Sequence, residues 1–260
     1  MKNAIYVTIC FLAGIIWALL VTDTKIDTKK DSEVATFQNK TFTANGVSFK
    51  MIAVKGGIMT MGCTPEQEGE CYPDEGVANQ KNISSFMIGE TEVTQELWNA
   101  VMGNNPSKFK GDLQRPVERV SWEKCQEFIN KLNSITGKNF RLPSEEEWEY
   151  AARGGQSSKS YKYCGSNNVE EIAWWKNNSG TKTHPVKTKK PNELGIYDMS
   201  GNVYEWCNDY YSDAKGVIKF DSHVLRGGCW SAIKRNLRVS YRYFAPTNNP
   251  SERTGFRLAL

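Results

Sequence analysis

The sequence predicts a compact α+β domain with little regular secondary structure, preceded by an N-terminal apolar helix. Eight tryptophans and 21 glycines are spread along the 260 residues, a composition typical of folds rich in turns and aromatic packing. Helical periodicity is confined to a few short segments before residue 155 and largely fails after it. The length is enough for one large domain or two small ones, with a sizeable core.

The first 22 residues predict a signal peptide or a membrane anchor. No charged side chain occurs from Asn3 to Thr22, and residues 4–21 are mostly apolar. As a helix this segment would be about 27 Å long, which nearly crosses a bilayer. Because Leu20-Val21-Thr22 matches a cleavage site poorly, an uncleaved anchor is slightly favoured over a cleaved signal. A buried core helix is the alternative interpretation.

Residues 23–46 are polar and charged, and they predict a flexible tether before a folded domain over 47–260. This organisation predicts a membrane-anchored or exported protein. Beyond Cys10 six cysteines remain, and an even number in an exported domain permits disulfides. Cys63 and Cys71 flank a short acidic loop that a bridge would close. Free, buried cysteines are the other interpretation.

Strands and helices are predicted mainly in the first half of the domain. Alternating apolar residues predict a half-buried strand over 47–53, and shorter strands follow over 58–61 and 86–88. Helices are predicted over 95–102, over 122–135, and in a short segment after a Ser144/Glu147 capping box. Thr94 and Ser121 are suitable N-caps for the first two helices.

The segment 198–205 is the best candidate for an ion site on chemistry alone. Asp198 and Glu205 bracket a turn that contains Gly201, and carboxylate and carbonyl oxygens suit calcium. An Asx-type turn, with Glu205 satisfied by a backbone amide, is the alternative. With two histidines and no C-x-x-C motif, a zinc or non-haem iron site is not expected.

Five motifs occur in one order along the domain: P-V-E-R-V-S-W at 116–122, R-L-P-S-E-E-E-W-E-Y-A-A-R-G-G at 141–155, G-I-Y-D-M-S-G-N-V-Y-E-W at 195–206, R-G-G-C-W at 226–230 and G-F-R at 255–257. Together they resemble the formylglycine-generating-enzyme, or sulfatase-modifying-factor, family over about 47–260. The resemblance implies a compact fold related to C-type lectins. It also implies a calcium site formed by the side chains of Asp198 and Glu205 and the carbonyls of Gly201 and Val203.

The family's enzymes oxidise a sulfatase cysteine to formylglycine, using oxygen and a copper ion held by two cysteines spaced C-x-x-x-x-C. Here no cysteine follows Cys229, and no two cysteines have four residues between them. Cu(I) requires soft thiolate ligands, so copper is not expected in this chain. The fold by itself does not carry the enzymes' activity over.

The leading hypothesis is therefore a non-catalytic or divergent domain that acts as a binding or accessory module outside the cytoplasm. Its ligand would be a protein, peptide or glycan, and its membrane contact would run through residues 4–21. A net charge of +4 without a strong basic cluster argues weakly against nucleic acid. The resemblance implies a ligand face rich in Tyr, Trp and Arg, residue types favoured at contact surfaces: Trp230, Arg238, Tyr241, Arg242, Tyr243 and Arg253.

Three alternatives remain open. One is an oxidoreductase that modifies a protein or peptide thiol through a centre not legible in the sequence. Another is a true formylglycine-generating oxidase that uses Cys229 or Cys207. The third is a ligand-binding protein diversified by a retroelement, because the chain ends in G-F-R-L-A-L, as some diversified proteins of this fold do.

Overall fold

The structure, a computed structural model, describes residues 37–67 and 69–260. Nine strands form three sheets in this part of the chain, ordered β1-β2-β5, β3-β4 and β8-β7-β6-β9. Their bounds are β1 Lys40–Ala44, β2 Val47–Val54, β3 Gly57–Met61, β4 Asn79–Ile83, β5 Phe86–Gly89, β6 Tyr204–Ser212, β7 Ile218–Arg226, β8 Tyr243–Pro246 and β9 Thr254–Gly255. The mixed architecture and the modest amount of regular structure confirm the predicted fold class.

The folded domain begins earlier than the sequence indicated. Strand β1 occupies residues that were assigned to the polar tether, and it pairs antiparallel with β2, Phe42 opposite Phe49. The Phe42 ring also packs against Phe140, with ring centroids 5.2 Å apart. Its two threonines and Lys40 are exposed, so Phe42 and the fully buried Ala44 anchor this strand to the core. Residues 1–36, including the predicted anchor, lie outside the described residues.

Four α-helices lie within the described residues: α1 Gln95–Met102, α2 Trp122–Thr136, α3 Glu145–Ala152 and α4 Val169–Ile172. The first three and their caps were predicted correctly. The hydroxyls of Thr94 and Ser121 accept hydrogen bonds from backbone amides of the first turns, at 3.2 and 3.3 Å. Ser144 and Glu147 form the reciprocal capping box at the start of α3.

The long hairpin β6–β7 was not predicted. It is the centre of the C-terminal sheet, in which β9 runs parallel to β6 and β8 runs antiparallel to β7. Alternation fails in these strands because Glu205 and Arg226, both charged, point into the protein and are fully buried. Their charges are satisfied by partners that are distant in sequence, which no local pattern reveals.

The domain carries its own core. Two clusters of buried apolar side chains contain only residues between Ala44 and Leu258. Trp98 stacks on Phe128 with ring centroids 5.2 Å apart, and Phe256 packs edge-on against both rings. Among the described residues, no helix is long and apolar enough to cross a membrane.

Candidate binding cleft and ion site

The C-terminal segment forms most of a surface cleft of about 580 Å³. Tyr241, Tyr243 and Arg253, three of the six residues predicted for the ligand face, line it. The indole of Trp230 is nearly buried, and its Nε1 donates a hydrogen bond to the carbonyl of Glu252 at 3.0 Å. Cys229, which the sequence analysis named as a possible catalytic thiol, also lines it. Residues that the sequence did not single out complete the lining: Tyr204, Leu225, Ser231, Ala232, Ile233, Asn236, Phe244, Ala245, Pro246, Asn249, Ser251 and Thr254.

The other two predicted residues, Arg238 and Arg242, are not on this face. Arg238 is fully buried, with both terminal nitrogens bonded to the carboxylate of Glu75. The guanidinium of Arg242 binds both oxygens of Glu145 at 2.6 and 2.9 Å. The prediction was wrong because an arginine in a Tyr-rich segment suits a ligand surface and an internal ion pair equally well. Only the position of the partner carboxylate distinguishes these roles.

One wall of the cleft is strand β8, at the edge of its sheet. In the described structure β8 pairs with β7 alone, so its other edge has backbone groups without strand partners. All four of its residues line the cleft, and the Tyr243 side chain is exposed. Such an edge can pair with an added extended chain.

The disulfide-closed loop stands behind the cleft. The predicted Cys63–Cys71 bridge is present, with the two Cα atoms 6.0 Å apart. Beside it, the Tyr72 hydroxyl donates a hydrogen bond to the Asn236 side chain at 3.0 Å, and its ring packs 5.5 Å from Tyr241. Tyr72, the residue directly after the disulfide-closed loop, therefore supports two lining residues, although it lies more than 160 residues earlier in the chain.

Cys229 is the only free cysteine that lines the cleft. Its thiol is buried and lies 3.3 Å from the hydroxyl of Ser231. Burial raises the pKa of the Cys229 thiol, which keeps it protonated at neutral pH. The other free thiols among the described residues, Cys125, Cys164 and Cys207, are buried elsewhere. A single protonated thiol does not fit a copper site that requires two thiolates.

The predicted calcium ligands lie in a buried acidic cluster. Asp198 and Glu205 are both buried, as is Glu92, which the sequence did not suggest. Glu92 accepts hydrogen bonds from the amide nitrogen of Val203 and the side chain of Asn202, at 3.1 and 2.6 Å. Burial raises the pKa of Glu92 well above its usual value, and the nearby negative charges of Asp198 and Glu205 raise it further. Burial likewise raises the pKa of Asp198 to about 6.

The negative charge of this cluster suits a bound cation, but the arrangement of its side chains suits one only in part. Three carboxylates face one buried guanidinium, that of Arg257, whose bonds to Glu205 are 2.6 Å long. Glu205 also accepts the Trp148 indole N–H at 2.6 Å, so both of its oxygens are already engaged. Gly201 is required here, because an added Cβ would lie 2.3 Å from the Trp174 carbonyl oxygen. In the described residues, no three His, Cys, Asp or Glu side chains converge in a metal-binding geometry.

The fold and the cleft together define a small α+β domain of the C-type-lectin-like type. The family model for the sulfatase-modifying factor enzyme 1-like domain matches residues 38–260. The chain therefore belongs to this family, as its motifs indicated.

Three curated relatives illustrate the range of proteins that share the domain. The chaperone protein LppX of Paenibacillus barcinonensis is 36% identical over 245 residues, which cover 75% of this chain and 83% of that protein. The serine/threonine-protein kinase pkn1 of Chlamydia pneumoniae is 31% identical over 255 residues, 81% of this chain but only 38% of that protein. The inactive C-alpha-formylglycine-generating enzyme 2 of Bos taurus is 31% identical over 182 residues, 64% of this chain and 57% of that protein.

Two solved structures resemble this chain over nearly their own full length. Treponema denticola variable protein 1 superposes with a TM-score of 0.75 at 33% identity, covering 85% of this chain and 98% of that one. PvdO from Pseudomonas aeruginosa superposes with a TM-score of 0.70 at 25% identity, covering 85% of this chain and 97% of that one.

Proposed function

We propose that this protein is a non-catalytic binding module that holds an extended polypeptide segment of a partner protein in the cleft beside β8. The observation that carries the proposal is the combination of a free strand edge with an aromatic wall and a lone, buried thiol. A free edge supplies backbone hydrogen bonds to any extended chain, and pockets beside it select side chains. The cleft has no second sulfur next to Cys229 that could hold copper.

The lining favours an uncharged, partly apolar segment. Tyrosine, phenylalanine and small aliphatic side chains dominate it, and Arg253 is its single charged member. Arg253 is exposed, and its guanidinium lies 5.8 Å from the ring of Trp230. The family includes a relative named as a chaperone and one named as inactive, which supports an accessory role.

The same proposal places the protein outside the cytoplasm, attached through residues 4–21 or exported after their cleavage. The apolar segment supports this location, as does the Cys63–Cys71 bridge, because disulfides persist in oxidising compartments. A calcium ion near Asp198 is proposed as a structural element, supported by the excess of carboxylates over guanidinium groups in that cluster.

Selection of a displayed random-peptide library on the folded domain tests the binding function. We expect enrichment of uncharged, apolar-aromatic peptides, whose affinity falls roughly tenfold or more in Ser231→Trp and Tyr243→Ala. Ile58→Ala is the matched control, because Ile58 is exposed and lies outside the cleft. Methylating alternate backbone nitrogens of the peptide should also weaken binding, since it removes donors to β8. If the enriched peptides bound Ser231→Trp as tightly as the unaltered domain, the proposal would be contradicted.

A second assay addresses the catalytic alternative. The domain is supplied with copper and a sulfatase-type cysteine peptide, and formylglycine is measured by mass. We expect no product and no tight copper binding. Product that survives Cys229→Ser would reveal a catalytic centre that the cleft does not explain, and would overturn the assignment.

A second candidate function is a ligand-binding protein whose cleft is diversified in sequence. The observation that favours it is the origin of the lining, of which every member except Tyr204 lies between residues 225 and 254. Diversifying the exposed positions of this one segment would change much of the cleft, provided that its core members Leu225, Cys229, Ala232 and Tyr241 were kept. The similar solved structure carries the name variable protein. A repeat of this segment in neighbouring DNA, with substitutions clustered at cleft positions, would establish it.

A further inference from the structure

The tip of the hairpin β6–β7 is an exposed apolar arm (residues 210–221). Four large apolar side chains project from it: Tyr210, Val217, Ile218 and Phe220 are 48%, 56%, 49% and 72% exposed. Elsewhere in the described part of the chain, exposed apolar side chains are mostly scattered singly, which is normal for soluble proteins. Four of them on one hairpin mark an interaction surface.

The arm is ordered rather than loosely extended. One carboxylate oxygen of Asp213 accepts the backbone N–H groups of Lys215 and Val217, at 2.9 and 3.0 Å, and fixes the turn. The Phe220 ring packs 5.6 Å from Tyr210, which stacks on His223 at 4.5 Å. His223 in turn stacks on Trp122 of α2 at 4.1 Å. This aromatic row connects the tip to the body of the domain, so its apolar side chains are held in a fixed display.

The arm carries two lysines and two aspartates, so its formal charge is balanced, as is that of a zwitterionic lipid headgroup. The exposed Asp221 accepts a hydrogen bond from the Ser222 hydroxyl on its carboxylate. Lys215 and Lys219 form no ion pair within the described residues, and Lys219 lies over the ring of Phe244 at 4.4 Å. The Asp213 carboxylate is directed at the turn amides, which lower its pKa. Aromatic and aliphatic side chains flanked by lysines are the composition of segments that insert into a bilayer interface.

We infer that the arm inserts its tip into the surface of a phospholipid bilayer. The chain outside the structure allows this contact. Residues 22–36 separate the apolar segment 4–21 from Phe37 and can span at most about 50 Å. A folded unit of this size is about 45 Å across. An anchor in the membrane would therefore keep the domain within reach of the bilayer without preventing any face from meeting it.

The bilayer contact is independent of the cleft, whose lining does not include residues 210–221. The inference thus goes beyond peptide binding and adds an orientation. With the tip in the membrane, the domain would be held at two points rather than one.

Sedimentation of the domain over residues 37–260 with phospholipid vesicles tests the inference, because this unit contains its own core and lacks the apolar N-terminal segment. We expect it to bind vesicles of phosphatidylcholine and phosphatidylglycerol. The partition coefficient should fall roughly tenfold or more in Ile218→Ser/Phe220→Ser. Lys215→Gln and Lys219→Gln should each weaken binding about fivefold on these anionic vesicles.

The matched control is Ile58→Ser/Val77→Ser, because these two apolar side chains are 72% and 89% exposed away from the arm. It should bind vesicles as the unaltered domain does, and all variants should melt at the same temperature. Three results would overturn the inference: no vesicle binding by the unaltered domain, equal loss in the control, or self-association through Phe220 without lipid. Peptide binding in the cleft should persist in Ile218→Ser/Phe220→Ser, so failure of one proposal leaves the other standing.

Discussion

Removing the guanidinium of Arg238 should destabilise the fold rather than abolish a ligand contact. Arg238 and Glu75 are both fully buried at their side chains, and they form a bidentate pair. Ser240 donates a third hydrogen bond to the same carboxylate, at 2.6 Å. In Arg238→Met the Glu75 carboxylate keeps its burial and loses its counter-charge, which typically costs about 3–5 kcal/mol.

For a domain of this length that loss corresponds to a fall in Tm of roughly 6–20 °C. Thermal unfolding followed by circular dichroism measures it. Arg253→Met is the matched control from the same segment, and its exposed side chain predicts a change within about 0.5 kcal/mol. The double variant Arg238→Met/Glu75→Leu should recover more than half of the loss, because no buried charge remains.

The pair also predicts a pH dependence. Burial raises the pKa of Glu75, but hydrogen bonds from Arg238, Ser240 and the Tyr72 amide outweigh it, and the net pKa lies below the usual 4.5. The stability it confers is therefore complete above about pH 4.5 and is lost as pH falls through the folded-state pKa. The double variant should show a shallower acid slope. If Arg238→Met had the Tm of the unaltered protein but no longer bound peptide, Arg238 would contact the ligand. The conclusion that Arg238 and Glu75 form a buried, stabilising ion pair would then be refuted.

Three further predictions concern the bridge, a second carboxylate and the ion site. Cys63→Ser/Cys71→Ser should lose about 2.5 kcal/mol, the entropy of a nine-residue loop, and a reductant should lower the Tm of the unaltered protein but not of this variant. Glu147→Gln should lessen acid sensitivity below pH 4.5, since hydrogen bonds from Arg141 and the Ser144 amide outweigh burial and lower the pKa of Glu147; an unchanged acid midpoint would count against it. Chelation of calcium should lower the Tm of the unaltered protein but not that of Asp198→Ala. If the chelator left the Tm of the unaltered protein unchanged, the calcium proposal would be wrong.

Local physical chemistry determined the first half of the domain. Thr94, Ser121 and Ser144 specify helix starts by accepting hydrogen bonds from amides three residues further on, so the sequence alone located α1, α2 and α3. Cys63 and Cys71 are only eight positions apart in the chain, so the closeness that their bridge requires is likewise local. The ordered motifs, quoted above, were sufficient for the family.

Only the tertiary structure decided the second half and the site. Strands β6 and β7 hide buried charges whose partners, Arg257 for Glu205 and Glu149 for Arg226, lie 52 and 77 residues away. Arg238 was predicted on the ligand face, but its long-range pairing with Glu75 holds it in the interior. The cleft depends on Tyr72 reaching Asn236 and on β8 remaining at a sheet edge. Each of these features depends on which segments of the chain contact one another in the folded protein. The free energy of burying a charged side chain likewise depends on the partners that it contacts there, not on the residue type alone.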